Sequence, residues 1–318
     1  MTPGAILLSD TAAERFGRRM QSLAPTRPLV RVADDAVDGD LDAVEIAFFS
    51  GDLFPERVGP FIRQLVRCKE LRWFHTFSAG VDNPFFAGLL ERGIRLSTSS
   101  GAMATPIAHT VMLYLLALSR DLPAWLRAQA QHVWEPRSVQ ELSGRTLGVL
   151  GLGPIGMEVA RLGAAFGMHV IGMRREPRGD EPCETWPLTR LDELLQRAND
   201  LVLALPLSDA THHILDADAI ARLPKGARIV NVGRGELLDE AALADALASG
   251  HLAGAGLDVF EVEPLPEDSP LWGRPDVIVT PHSSGTTPGN QERAAEIFLE
   301  NLARYGRGDP LRNEVLSP

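Results

Sequence analysis

Positive charge is scarce in this sequence: 31 Lys and Arg stand against 42 Asp and Glu, a formal net charge of −11. That balance offers no basic surface to nucleic acid or anionic lipid, so neither is expected as a partner. An anionic ligand would need a local positive pocket set against the global field. Lysine is nearly missing, Lys69 and Lys225 being the only ones, so arginine carries almost all the positive charge. Cysteine is nearly missing too. Cys68 and Cys183 stand alone, without the spacing of metal or redox sites, and read as buried thiols; no metal site is expected. Long apolar runs are also absent, the longest, Val111 to Leu118, falling far short of the roughly 18 residues of a membrane span. The first ten residues lack a basic start, and their apolar run is too short for a signal peptide. They read as a first strand, and a cytoplasmic location is expected.

What is present is alternation. The length of 318 residues suits about two domains, and a hydrophobic content of 45% supplies a real core. Apolar strand-like runs at 5–8, 29–32, 44–50, 71–77 and 94–98 alternate with helical stretches such as 12–23 and 60–68. A parallel α/β sheet covered on both faces gives this pattern. Thr105-Pro106 reads as a helix start, cap plus proline, opening a helix apolar almost all round. A second series follows, with strands at 146–150, 168–173, 201–205, 227–232, 253–259 and 277–280. Its helices include 155–166, 191–198 and one opened by Asp239 and stopped by Gly250. Thr287-Pro288 is expected to open a last helix running to about Tyr305.

The turn Gly151-Leu152-Gly153-Pro154-Ile155-Gly156 lies between a strand and a helix. Its first glycine permits the tight turn, its second lets backbone approach a pyrophosphate, and its third allows close helix–strand packing. The helix N-terminus adds partial positive charge for phosphates. This context supports dinucleotide binding over a plain structural turn. About 20 residues on, an NAD site usually places Asp or Glu on the ribose. Here the sequence reads Gly172-Met173-Arg174-Arg175-Glu176. Two guanidiniums could grip a 2′-phosphate, so NADP is the expected cofactor, with Arg174 the main contact and Arg175 its support. The alternative leaves both arginines solvated and puts Glu176 on the ribose, so NAD stays possible.

Three more strand ends carry polar groups. Asn231-Val232-Gly233-Arg234-Gly235-Glu236 sets an arginine between glycines, suited to clamping a carboxylate. Leu257 to Leu265 holds Asp258, Glu261 and Glu263. Thr280-Pro281-His282-Ser283-Ser284-Gly285 offers a histidine, the side chain suited to protonating a developing alkoxide. A carboxylate beside it would fix its tautomer and favour the donor form.

With these segments assembled, the chain resembles the D-isomer-specific 2-hydroxyacid dehydrogenase family, and within it the glyoxylate and hydroxypyruvate reductases. The resemblance covers nearly the whole chain and is densest from 144 to 285. It implies that Arg234, Glu263 and His282 form the catalytic trio: His282 as acid/base, Glu263 as its partner, Arg234 as binder of the substrate carboxylate and keto oxygen. Backbone amides of Ser78, Ala79, Gly80 and Val81 would hold the carboxylate, and Asp258 the nicotinamide amide. Besides the glycine turn and the two arginines, the implied cofactor shell includes Leu205, Pro206, Thr211, Val232, Gly233, Ser284 and Gly285. The implied fold is a pair of Rossmann-like/flavodoxin-like parallel-sheet domains. The cofactor domain, 105–285, is inserted into a substrate domain made of 1–104 and 286–318. A homodimer and a small 2-keto or 2-hydroxy acid substrate are implied as well. Phosphoglycerate dehydrogenases of the family often carry a further regulatory domain, for which this length leaves no room.

One departure is Ala108-His109-Thr110, where the family often has Glu after Ala; His109 is read as a packing substitution or as a group near the site. Trp134 is open between a core or dimer-surface aromatic and a place near the substrate mouth. His75 reads as a satisfied interior histidine. The pair His212-His213 is set aside as a metal site, since neighbours on a helix do not face each other. Asp82 and Asn83 are expected to fix their turn. The competing function is a dinucleotide-sensing binding protein on the same fold, like the family's corepressors.

Overall fold

In the computed structural model the described residues are 3–316; positions 1, 2, 317 and 318, which end the expected substrate domain, lie outside them. The chain divides into two compact units, one running up to Met103 and resuming at Thr287, the other Ala104–Thr286. The first stretch contains β1 (Ala5–Ser9), α1 (Asp10–Leu23), β2 (Leu29–Ala33), β3 (Ala36–Asp38), β4 (Val44–Phe49), α2 (Val58–Leu65), β5 (Trp73–Thr76), α3 (Pro84–Glu91) and β6 (Arg95–Thr98). The inserted unit contains α4 (Ala104–Ser119), α5 (Leu122–Ala130), β7 (Thr146–Leu150), α6 (Pro154–Ala165), β8 (His169–Met173), β9 (Glu184–Trp186), α7 (Leu191–Leu195) and β10 (Asp200–Leu203). It continues with α8 (Ala217–Arg222), β11 (Ala227–Asn231), α9 (Glu240–Ala248), β12 (Leu252–Leu257) and β13 (Val277–Val279). The chain then returns to the first unit with α10 (Asn290–Arg307) and β14 (Glu314–Val315).

Each unit is built on a seven-stranded sheet. In the outer unit the order is β14-β6-β5-β4-β1-β2-β3, parallel except at its edges, where β3 and β14 run antiparallel. Strands β1 and β5 are buried at every position, as they must be when helices cover both faces. Ser9 caps α1 by accepting from Ala12 N at 2.9 Å, and Ala12, Ala13, Phe16 and Met20 then face inward. On the same side Phe298 of α10 stacks on Phe48 and Trp73, with centroids 4.4 and 5.3 Å apart. Fully burying one such ring or a β1 leucine contributes about 1.5–3 kcal/mol. His75 of β5 is buried, with Nδ1 2.7 Å from Ser97 Oγ and Nε2 3.0 Å from Ser99 Oγ; burial pushes its pKa down to about 3.

The inserted unit has the order β13-β12-β11-β10-β7-β8-β9, all parallel. From β7 the chain moves out through β8 and β9, then restarts at β10 on the other side of β7. That reversal is the switch point at which such sheets open a ligand crevice beyond their carboxyl ends. Helix α4 lies on β12 because two glycines there leave no side chains in its way. A Cβ on Gly254 would come 2.9 Å from Leu118 Cδ2, and one on Gly256 2.6 Å from Tyr114 Cγ.

Several expectations change. Helix α4 begins at Ala104, so Thr105 and Pro106 lie inside its first turn instead of opening it. Helix α10 begins three residues after Thr287, whose hydroxyl donates to Asn290 Oδ1 at 2.8 Å, and Gly289 takes the cap position. Each Thr-Pro pair thus lies within a few residues of a helix start without serving as its cap. The short elements β3, β9 and β14, and helix α5, carry no periodicity that marks them in sequence. Cys68 is buried, which pushes its thiol up to about 11, but Cys183 is only half-buried.

Candidate active site

The chemistry-bearing segments of the inserted unit converge on one edge of its sheet. Gly151 follows β7, Arg174 follows β8, Leu205 lies just past β10, Val232 follows β11, Asp258 follows β12, and Thr280 follows β13. Parallel strands put all these carboxyl ends on the same side.

The glycine turn is shaped for a ligand. Gly151 adopts φ +101°, open to glycine alone without strain, and a Cβ on Gly156 would come 1.9 Å from Gly151 O. Gly153 is exposed, and a Cβ there would meet no atom within 4 Å, so the approach to the backbone is clear. It caps α6 with no side-chain hydrogen bond, and Pro154 stands in the first turn. The amides of Ile155 and Gly156 would thus meet an anion with no side chain in competition. These features fit a dinucleotide pyrophosphate.

Beyond β8 lies a carboxylate that was not expected. Glu181, its side chain 2% exposed, accepts from Arg178 N at 2.8 Å, Gly179 N at 2.7 Å and Arg174 Nη1 at 3.0 Å. The Arg178 amide foremost, then Gly179 and Arg174, hold its pKa down to about 2 against the effect of burial. One arm of Arg174 is therefore engaged within the protein, while Arg175 and Glu176 are exposed. Thr211 turns inward: its hydroxyl donates to Pro206 O and accepts from Ser208 N, both at 2.8 Å, holding the loop of Leu205 and Pro206.

After β11 the buried Asn231 sets the turn that presents Arg234. Its Oδ1 accepts from Gly233 N at 3.1 Å, and its Nδ2 donates to Arg234 O at 2.8 Å. Arg234, half-buried, donates from Nη1 to Gly233 O at 2.7 Å. Val232, Gly233 and Gly235 are buried beneath it.

His282 and Glu263 meet. Nδ1 of His282 is 2.8 Å from Glu263 Oε2, and Glu263 Oε1 accepts from Phe260 N at 3.1 Å. The carboxylate is thus anchored on one oxygen and fixes the ring's tautomer with the other, leaving Nε2 for a substrate. The histidine side chain is 53% exposed, accessible to a small molecule. His282 has φ +49°, a left-handed conformation uncommon for a non-glycine residue.

Asp258, 1% exposed, lies beneath that loop. Its carboxylate accepts from Ser283 N at 2.9 Å, from Ser284 N at 3.0 Å, and from the hydroxyls of Thr280 and Ser284. Gly285 is buried behind the loop. Asn231 and Thr280 lie in the segments read from sequence but receive no role there, and sequence reading passes over Glu181; only the folded chain shows what each one holds.

In the outer unit, the loop after β5 is held by its own hydroxyls. Ser78 Oγ donates to Gly80 O at 3.0 Å and Thr76 Oγ1 lies 2.9 Å from Ser78 Oγ, while Ala79 is exposed and Val81 half-buried. Asn83 caps α3 by accepting from Phe85 N at 2.9 Å.

Three readings need correction. His109 is exposed on α4, so it is no packing residue; with Arg161 as the chief partner, it helps hold Glu158 below the usual carboxylate range. Trp134 is 95% exposed, which excludes the core. His212 and His213 occupy a turn, not a helix. The left-handed φ of +46° at His213 stacks the two rings 4.2 Å apart, and His213 Nε2 lies 2.8 Å from Glu261 Oε1. Among the described residues no cluster of three or more His, Cys, Asp or Glu could hold a metal, and no helix is long and apolar enough to cross a membrane.

Known proteins match this arrangement. Residues 112–284 fit the profile of the NAD binding domain of D-isomer specific 2-hydroxyacid dehydrogenases. A glyoxylate reductase of Korarchaeum cryptofilum is 34% identical over 250 residues, covering 76% of this chain and 74% of that one. A D-3-phosphoglycerate dehydrogenase of Methanocaldococcus jannaschii is 36% identical over 258 residues; the match takes in 79% of this chain but only 49% of that protein. The crystal structure of a D-isomer specific 2-hydroxyacid dehydrogenase from Xanthobacter autotrophicus Py2, in complex with NADPH and MES, superposes with a TM-score of 0.81. Identity there is 32%, over 99% of this chain and 98% of that one. With the strand-end geometry and these relatives in agreement, the chain belongs to the D-isomer specific 2-hydroxyacid dehydrogenase family.

Proposed function

We propose that the protein reduces a short 2-keto acid, of the glyoxylate or hydroxypyruvate type, to the D-2-hydroxy acid, with NADPH preferred over NADH. The observation that carries this reading is the His282–Glu263 pair at 2.8 Å, on the sheet edge that also presents the glycine turn and Arg234. A bound nicotinamide dinucleotide supplies the hydride. The chain's own part is to bind, orient and protonate. Glu263 accepts from Nδ1–H, so the proton on Nε2 is the one aimed at the substrate. As hydride reaches the keto carbon, its oxygen gains negative charge and takes that proton. Arg234 pairs with the substrate carboxylate and polarises the keto oxygen through its second arm. The amides of Ser78, Ala79, Gly80 and Val81 are assigned to the carboxylate.

Gly151, Gly153, Pro154, Ile155 and Gly156 are assigned to the pyrophosphate, and Leu205, Pro206 and Thr211 to the adenosine side. Val232, Gly233, Asp258, Ser284 and Gly285 are assigned to the nicotinamide side. Arg174 and Arg175 take the 2′-phosphate, and the NADPH complex of the Xanthobacter relative supports that choice. Leu126, Val133 and Trp134, exposed by 55%, 51% and 95%, support a homodimer joined through this unit. Sedimentation at micromolar concentration should give twice the chain mass.

The deciding experiment is steady-state reduction of a panel of 2-keto acids with NADPH and with NADH. Turnover of the short acids with a higher kcat/KM for NADPH is expected. A clear NADH preference would overturn the cofactor assignment. Tight dinucleotide binding without turnover of any acid would replace the enzyme by a sensor.

A further inference from the structure

The left-handed φ of +49° at His282 does not hold itself, because such a conformation at a non-glycine residue persists only where its surroundings impose it. The loop 280–284 is imposed from below by Asp258, whose backbone carbonyl also accepts from His282 N at 2.8 Å. It is imposed from the side by α4. Thr110 Oγ1 lies 3.2 Å from Ser284 O and equally from Pro106 O of its own helix, and the Tyr114 hydroxyl bonds the Thr280 hydroxyl. Thr110 and Tyr114 are four residues apart, so they present one helical face to the two ends of the loop.

The protons in this chain can be assigned by elimination. Asp258 as a carboxylate only accepts, so the single hydroxyl hydrogen of Thr280 goes to Asp258 Oδ1. Thr280 Oγ1 is then left as an acceptor, and Tyr114 must donate to it. The order is Tyr114 to Thr280 to Asp258, each hydroxyl fixed in one orientation. Burial pushes the Tyr114 phenol up to about 12, which keeps its proton in place at working pH. The absence of a side chain at Gly256 is what lets the ring lie in this position.

We propose that Tyr114 and Thr280 are positioning residues for His282: through Asp258 they fix the loop so that the imidazole meets Glu263 with Nε2 presented to the substrate. The inference rests on the acid role assigned to His282 above. It extends the site to the buried face of α4, which touches neither cofactor nor substrate in this assignment.

Thr280→Val keeps the shape and removes the hydroxyl; Thr280→Ser keeps the hydroxyl and removes the methyl group. Thr280→Val is expected to lower kcat about ten- to a hundred-fold. Its KM for the keto acid should stay within about two-fold of the parent, and its Kd for NADPH, read by fluorescence, should rise by less than kcat falls, because the Asp258 it orients is also assigned to the nicotinamide side. Thr280→Ser should recover most of the lost kcat, and Tyr114→Phe should lower it by about three- to ten-fold. A merely structural role would lower the melting temperature and leave kcat per folded molecule unchanged, and that result overturns the proposal. So does a Ser variant as impaired as the Val variant. Should Thr280→Val fail to fold, Tyr114→Phe, which removes one oxygen, carries the test by the same kcat-against-KM criterion. His282→Gln measured alongside separates the two claims. If it keeps its turnover, the acid assignment is wrong; if it loses turnover while Thr280→Val keeps kcat, only the positioning inference falls.

Discussion

Two histidines divide the molecule. His75, in the outer unit, lies within a strand, buried, with both ring nitrogens bonded to serine hydroxyls. His282, in the inserted unit, lies just past a strand end, half-exposed, with one nitrogen held by Glu263. The sheets that carry them are alike in strand number and mostly parallel direction. Chemistry is therefore assigned by position relative to the carboxyl edge and by how many hydrogen bonds the protein itself supplies. A histidine satisfied on both sides is structure; one satisfied on a single side is available.

The comparison can be broken most sharply at His282. His282→Gln should cut kcat by about 10²–10⁴-fold while the NADPH Kd stays unchanged. Ser78→Ala, which spares the backbone amides assigned to the substrate, should cost far less. Equal losses in the two variants would erase the distinction drawn between the units' polar groups.

A middle-sized effect is expected at the end of β8. Arg174→Ala should raise the KM for NADPH by about ten-fold or more, the value of one charge-assisted hydrogen bond, and leave NADH kinetics alone. Equal changes with both cofactors would mean that Arg174 serves Glu181 and the loop, not the phosphate.

The smallest effect concerns His75. Its pKa of about 3 in the folded protein lies below its ordinary 6.5, so between these values unfolding takes up a proton. Stability should therefore rise with pH from about 3 to 6.5 and be indifferent to this group above that range. Melting temperatures between pH 5 and 7 should show the slope, and His75→Gln should flatten it. A slope unchanged by the substitution would mean that the buried ring is not its source.

Much of this was readable from sequence because it is local. Fully buried parallel strands appear as apolar runs, and the glycine turn, Arg234 and His282 each follow such a run within a few residues. The support behind them is not local. Tyr114 meets Thr280 across 166 positions of chain, and Asn231 looks like any polar residue until its two hydrogen bonds into the Arg234 turn are seen. Glu181 lies only seven positions from Arg174, yet the irregular turn that brings them together has no period to read. The exposed face of α4 misled for the same reason: a helix apolar almost all round still leaves His109 in water.

The glycines of β12 have a consequence for anyone seeking a hardier enzyme. Replacing glycine by alanine inside regular structure is an ordinary route to stabilisation, since it narrows the unfolded ensemble. At Gly254 the added methyl group would meet the Asp276 carbonyl oxygen at 2.8 Å and the tip of Leu118 at 2.9 Å, and at Gly256 it would meet the Tyr114 ring at 2.6 Å, so backbone and ring would both have to shift. The crowding would cost more stability than the narrower unfolded ensemble returns, making β12 a poor place to begin a stabilising library.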